Sequence, residues 1–353
     1  MWTRAALARA GYSTVLISHG ALGAGQTVGS QGILHAGLKY AADGLSHEIS
    51  RRLAASREAW HAAMRGEEGL PDLQRMRVLS DRTWFWTTGG LLDRAVGAAA
   101  SAVMKAGARR LDRKEYPSIF AGAASGVGVW EVEEEVVDVV SLVECLRDSE
   151  GGEIVAEAAP AMVQGGSEGG VRARAGARVI EARHAVLAAG SGNEVLLSGL
   201  GARPEEHCQR RPLHMVYATG VPGSLFGHCL QLSDKPRLTI TTGRFDGRDI
   251  WYIGGEVAEK GVGRSEAEQI EAARREVDAA VPWIDTAGFA WGTVRIDRAE
   301  GRMAGGRRPD GPSIVSGDGF TAAWPTKLAM APAAAAMVCD AVGAVIRPSG
   351  IVV

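Results

Sequence analysis

The sequence is short of the features that mark several large protein classes. Four cysteines are spread over 353 residues (Cys145, Cys208, Cys229 and Cys339), with no C-x-x-C spacing among them. Zinc ligation or a redox pair would show such a spacing, so unpaired thiols in a reducing compartment are expected, and no metal site. There is little excess charge: the formal net charge is -2. That removes the electrostatic case for a nucleic-acid partner or an anionic membrane surface. Blocks of like charge are missing too, since WEVEEEVVDVV at 130–140 alternates acid with Val and reads as strand. The first residues, MWTRAALARAGYSTVLIS, are interrupted by Gly11, Tyr12 and Ser13 and do not read as a signal peptide. Near the other end, LAMAPAAAAMVCDAVGAVI has a spanning length but holds Pro332 and Asp340 and is largely Ala. A buried helix is expected there, with no integral membrane segment and a cytoplasmic location.

What is present suits a globular chain of one large or two interleaved domains, with 46% hydrophobic residues. TRAALARAG reads as the end of a helix stopped by Gly11, followed by the buried-type strand STVLIS at 13–18. Amphipathic helices are expected over 45–66 and 91–107, a strand in RMRVLSDRTWFWTT, a helix after Asp138 and a strand over 153–158. QGGSEGG at 164–170 reads as a hairpin turn or loop, and 184–201 as strand, glycine turn and short helix. From 212 to 256 the alternating runs HMVYATG, RLTITTG and DIWYIGGEVA predict an antiparallel sheet. An exposed helix, the strand FAWGTVRIDRA, and a last strand, glycine turn and long helix complete the chain. The implied fold class is α/β: a doubly wound domain with an inserted antiparallel α+β domain. The expected boundaries are 1–75, 107–205 and 305–353 for the first, and 76–106 and 206–304 for the second.

Three times a strand runs into glycines, after STVLIS, after HAVLAA and after SIVS. Each turn alone is ordinary folding punctuation; three together suit one long cofactor lying across several strand ends. A G-x-G-x-x-G loop is lacking. Gly23-Ala24-Gly25 with Gly29 is nearest, but Gly29, Gly32 and Gly37 interrupt the helix that should follow, at about 1 kcal/mol per glycine.

Four separated stretches carry a family resemblance. His35-Ala36-Gly37-Leu38-Lys39-Tyr40 resembles the H-G-G-L-R-Y of glycerol-3-phosphate dehydrogenases and the H-A-G-L/I-Y-Y of L-2-hydroxyglutarate oxidases. AVLAAGSGNEVLL at 185–197 is similar to a third cofactor-contacting strand and turn. Arg308-Pro309-Asp310-Gly311-Pro312 resembles the arginine-bearing approach to the last strand. Gly317-Asp318-Gly319 and Pro325-Thr326-Lys327-Leu328 look like the final flavin-edge loop. In this order they resemble FAD-dependent oxidoreductases of the D-amino-acid oxidase and glycerol-3-phosphate dehydrogenase superfamily. The resemblance implies FAD as cofactor, a Rossmann-like domain of the glutathione-reductase type, and an inserted substrate domain.

Two departures are plain. In the family a strand and G-x-G-x-x-G precede the helix with which this chain opens, so a first strand missing through truncation is expected. The acidic residue that usually ends the second strand is Ser18 here, followed by His19.

The resemblance also implies site residues. Gly25, Gln26, Thr27, Ser30, Gln31, Gly32, Ile33, Ala189, Gly190, Ser191, Gly192, Asn193, Gly317, Asp318, Gly319, Thr326, Lys327 and Leu328 are expected around the cofactor. A cation such as Lys327, with the amides opening the last helix, suits the negative charge that a reduced flavin gathers. The substrate is expected to be a small acid. Lys39, Tyr40, His228 and Arg295 are candidates to clamp it, and Lys39 in place of Arg lacks the bidentate fork. His35 is a proton acceptor or a packing histidine. The implied activity is an FAD-dependent oxidation of a C–H next to an amine or hydroxyl. An NAD(P)-dependent dehydrogenase using GALGAGQTVG, or a non-catalytic flavoprotein or assembly subunit, stands as the alternative. The electron acceptor is left open.

Overall fold

The computed structural model describes residues 1–34, 47–89, 107–149, 153–157, 160–166, 169–231 and 236–348. The helix expected over 91–107 lies outside them for all but its last residue, as do the candidates His35, Lys39 and Tyr40. The opening helix, Trp2–Arg9, buries Trp2, Arg4, Ala5 and Leu7 on more than one side: Trp2 packs with Leu34 and Trp60, Leu7 with Val338 and Val342. It ends in a paired 6→1 and 5→2 closure, Tyr12 N–H to Leu7 O and Gly11 N–H to Ala8 O. Gly11 takes φ +84°, a conformation that a Cβ disfavours. The next strand, Leu16–His19, pairs in parallel with Ile154–Glu157.

A second, three-stranded sheet has Phe320–Trp324 at its centre, parallel to Ala185–Leu187 and antiparallel to Ser313–Gly317. Among the described residues no strand joins this sheet to the Leu16–His19 pair. The C-terminal helix, Ala331–Val345, packs on the opening helix and on this sheet, burying Ala333, Ala334, Val338 and Val342. The segment Leu328–Val345 is long and apolar enough to cross a membrane by length and composition, and this packing accounts for its apolar face. The helix after Asp138, Val139–Asp148, is capped by the Asp138 carboxylate accepting the Val140 and Ser141 N–H groups. Of QGGSEGG, residues 167 and 168 lie outside the described residues; the flanking strands Met162–Gly165 and Val171–Ala175 pair antiparallel.

Among the described residues the largest unit is an eight-stranded sheet. Its spatial order is Ala290–Gly301, Cys208–Thr219, Arg248–Gly254, Leu238–Phe245, Gly227–Cys229, Thr83–Trp86, Val129–Val132 and Arg109–Arg110. Every pairing is antiparallel except Gly227–Cys229 with Thr83–Trp86. One face packs under the helix Glu266–Ala280, around Trp86, Phe120, Trp251, Ile253 and Val277. The strands at 109–110 and 129–132 fall in a segment expected to belong to the cofactor domain, yet they extend this sheet. Local pattern identifies a strand; only its partner, here Thr83–Trp86, decides which sheet it joins.

Candidate active site

A cavity of about 2150 Å³ runs between the two parallel units and one face of the large sheet. Small-molecule pockets usually hold about 300–1,000 Å³, so this one has room for an extended dinucleotide and a small substrate together.

One wall is the glycine loop after Leu16–His19. Gly25, Gln26, Thr27, Ser30, Gln31, Gly32 and Ile33 all line the cavity, as the sequence implied. At Gly32, φ is +70° and a Cβ would sit 2.2 Å from the Val137 carbonyl oxygen. A Cβ at Gly29 would meet Ile296 at 2.5 Å, whereas at Gly25 nothing lies within 4 Å. The loop is therefore pressed against the sheet on one side and open on the other. Two of the expected cofactor residues spend their amides on that pressing. Gln31 Nε2 donates to the Thr239 and Tyr252 carbonyls, each at 3.0 Å, and Gln26 Oε1 accepts the Ala299 N–H at 2.9 Å. Tyr252 returns a bond, its hydroxyl donating to Gly29 O at 3.0 Å; burial pushes that phenol's pKa up. Ser30 and Arg4 line the cavity, and Ser30 Oγ and Arg4 Nε are buried with no hydrogen-bond partner among the described residues. Such atoms invite a polar ligand.

The second wall is the turn after Ala185–Leu187. Ala189, Gly190, Ser191 and Gly192 line it, and Gly190 at φ +61° has open space beside it. Asn193 does not reach the cavity. It is fully buried, its Oδ1 accepting the Ala189 N–H at 2.8 Å while Nδ2 donates to the Leu187 and Ala323 carbonyls. Asn193 thus staples the turn to the neighbouring strand. Asn193→Ala is expected to cost about 2–3 kcal/mol by leaving buried backbone groups unpaired, read as a drop in thermal unfolding midpoint.

The third wall is Trp324 to Leu328. Trp324 is fully buried and its Nε1–H donates to Gly190 O at 3.3 Å, which ties this segment to the second wall. Thr326 holds φ +64° and donates through Oγ1 to Gly311 O at 2.8 Å. A threonine in that region stores strain of about 1–3 kcal/mol, which surrounding structure must over-determine. Thr326, Lys327 and Leu328 line the cavity; Gly317, Asp318 and Gly319 do not. They form the hairpin turn at the opposite end of Phe320–Trp324, where Gly317 pairs with Phe320. Five strand residues separate the two ends by roughly 13 Å.

The large sheet supplies the remaining wall, with His228, Phe85, Leu213, Met215, Ile296 and Arg298. His228 is buried, stacks on Phe85 at 5.0 Å between ring centroids, and pairs Nδ1 with Thr239 Oγ1 at 2.8 Å. The expected Arg295 is not there. It lies exposed on the other face, donating to the Val262 and Arg264 carbonyls. Strand alternation is the reason: Ile296 and Arg298 line the cavity, so Arg295 and Asp297 turn away. Correcting the phase by one residue would have found Arg298.

A charged cluster, unrecognised in the sequence, follows from this phase. Arg211 and Arg298 are direct cross-strand partners. Glu259, on the short helix Glu256–Lys260, lies 3.5 Å from Arg211 and 3.3 Å from Arg298. The fully buried Glu300 lies 3.3 Å from Arg211. Burial, then the like charge of Arg211, pulls the Arg298 pKa down against the two glutamates. Arg308 also lines the cavity, open to its solvent but crowded by protein, and partial desolvation lowers its pKa. No hydrogen bond of its guanidinium to another described residue is seen.

These walls fit FAD. The loop at 25–33, the turn at 189–192 and the segment 326–328 would hold it, with bare glycine backbone for close approach and the orphaned Ser30 hydroxyl as a polar contact.

Comparison with known proteins agrees with that fit. Residues 1–340 match the DAO family, described as FAD dependent oxidoreductase. The chain is similar to a probable FAD-dependent oxidoreductase of Pseudomonas aeruginosa, 39% identical over 345 residues, covering 96% of this chain and 87% of that protein. Its crystal structure superposes with a TM-score of 0.80 at 35% identity, covering 99% of this chain and 89% of the other. An iminodiacetate oxidase from Chelativorans sp. BNC1 shares the fold at 16% identity, with a TM-score of 0.67 and coverage of 99% and 95%. A glycine oxidase from Geobacillus kaustophilus does so at 14% identity, with a TM-score of 0.64 and coverage of 97% and 91%.

Proposed function

The chain belongs to the DAO family of FAD-dependent oxidoreductases, and from that premise we propose that it oxidises a small amino or hydroxy acid at the carbon bearing the amine or hydroxyl. Membership makes it an FAD enzyme and sets aside the nicotinamide reading of GALGAGQTVG. When bound, FAD supplies the hydride acceptor.

Arg308 carries the reading of the substrate. In the charged cluster, Glu259 and Glu300 face Arg211 and Arg298, while Arg308 opens into the cavity with no hydrogen-bonded partner among the described residues. A guanidinium left in that state suits a planar carboxylate, which it can grip with two parallel N–H bonds. Gripping the acid group there would leave the rest of a small substrate in the cavity that Phe85 and His228 also line. Lys327 brings a positive charge to the cofactor side of the same cavity. Among similar folds, the iminodiacetate oxidase and glycine oxidase are named for amino acid substrates, which supports the same class.

Anaerobic titration of the purified flavoprotein with 2-amino and 2-hydroxy acids tests the proposal. The flavin absorbance band is expected to bleach with a member of one of these series, and far more slowly with the matching amides. Bleaching indifferent to loss of the carboxylate would overturn the substrate class.

A further inference from the structure

Arg211 and Arg298 face each other across neighbouring strands at the cavity wall. Like charges placed so are destabilising unless something negative sits between them. The sheet supplies Glu300 to Arg211 from the diagonal position. Arg298 has a different arrangement: its Nε donates to the Arg211 carbonyl at 3.1 Å, and its outer nitrogen faces Glu259 at 3.3 Å. Glu259 comes from outside the sheet, on a helix of only five residues, and lines the cavity together with both arginines. Its carboxylate therefore lies where an anionic ligand of the pair would lie.

We propose that Glu259 is a specificity residue: its carboxylate occupies a second anion seat formed by Arg211 and Arg298, and so confines the enzyme to substrates with one acid group. This rests on the reading of Arg308 as the seat of that first group. A dicarboxylate entering the cavity would bring its second charge against Glu259, and like-charge juxtaposition in a partly desolvated site is costly. Arg308 and Arg298 both line this cavity, so the two seats open into one space. Selection here is by repulsion, and removing one negative charge should reverse it.

The test uses the FAD-loaded protein and two unreactive probes, acetate and succinate, with dissociation constants read from perturbation of the flavin spectrum. The wild type should bind acetate more tightly than succinate. Glu259→Gln should tighten succinate by about tenfold or more while acetate changes by less than about threefold. If Glu259→Gln fails to fold, Glu259→Asp retracts the carboxylate by one methylene and should still tighten succinate measurably. Unchanged succinate binding in a folded variant overturns the proposal. An Arg308→Met control separates the two ideas. If acetate binding survives the loss of Arg308, the first seat is wrong. If acetate depends on Arg308 but succinate ignores Glu259, only the selector is wrong.

Discussion

Arg308→Met is expected to lower kcat/KM for the acid substrate by about a hundredfold to a thousandfold, with FAD content and thermal stability near those of the wild type. The magnitude follows from chemistry. A bidentate, charge-assisted pair in a partly desolvated cavity is worth several kcal/mol to an anion, and each 1.4 kcal/mol or so is a factor of ten. Methionine keeps most of the apolar stem, and the Arg308 guanidinium makes no hydrogen bond among the described residues, so the loss should fall on substrate rather than stability. Steady-state kinetics on the acid and on its amide make the check. The amide, already without a charge to grip, should be nearly indifferent to the change. A variant within about threefold of wild type on the acid would remove Arg308 from the proposed seat.

Gly32→Ala is expected to destabilise the protein by more than about 3 kcal/mol and to abolish retention of FAD, because two penalties coincide there. The backbone is left-handed at φ +70°, and the new methyl would lie 2.2 Å from Val137 O. Relief cannot come from a side chain, since the obstacle is backbone already bonded to the loop: the Val137 N–H donates to Gly32 O at 2.9 Å. Nor can the loop retreat freely, because Gln31 and Tyr252 clamp it to the large sheet. Denaturant unfolding and the flavin-to-protein ratio after gel filtration measure the two effects. A variant that keeps wild-type stability and a full complement of FAD would show that the loop is not held as described. Gly25→Ala is the matched contrast: nothing lies within 4 Å of its Cβ, and its φ is not in the left-handed region.

How the site was legible varies residue by residue. The glycine loop and the Ala189–Gly192 turn were readable because a backbone that must lie close to a ligand shows itself as glycine in a local window. Gly317 to Gly319 passed the same test and sit elsewhere, since glycine records a turn without recording which end of the strand meets the cavity. Asn193 was placed at the cofactor for its position in a glycine turn, while its buried amide holds backbone together. Arg295 and Arg298 stand in one seven-residue stretch, VRIDRAE. Nothing in VRIDRAE sets the phase of the strand against the cavity; pairing with Cys208–Thr219 does.

Most of the described elements, the family and its flavin were legible in the amino-acid sequence alone, because each depends on short-range patterns: periodicity, glycine turns and motifs in order along the chain. Tertiary structure alone decided that the strands at 109–110 and 129–132 extend the large sheet, and that Arg211, Arg298, Arg308 and Glu259 share one cavity. The physical reason is that strand pairing and charge clustering are relations between distant segments. A single residue of register turns an arginine from the cavity to the opposite face, and no local window carries that register.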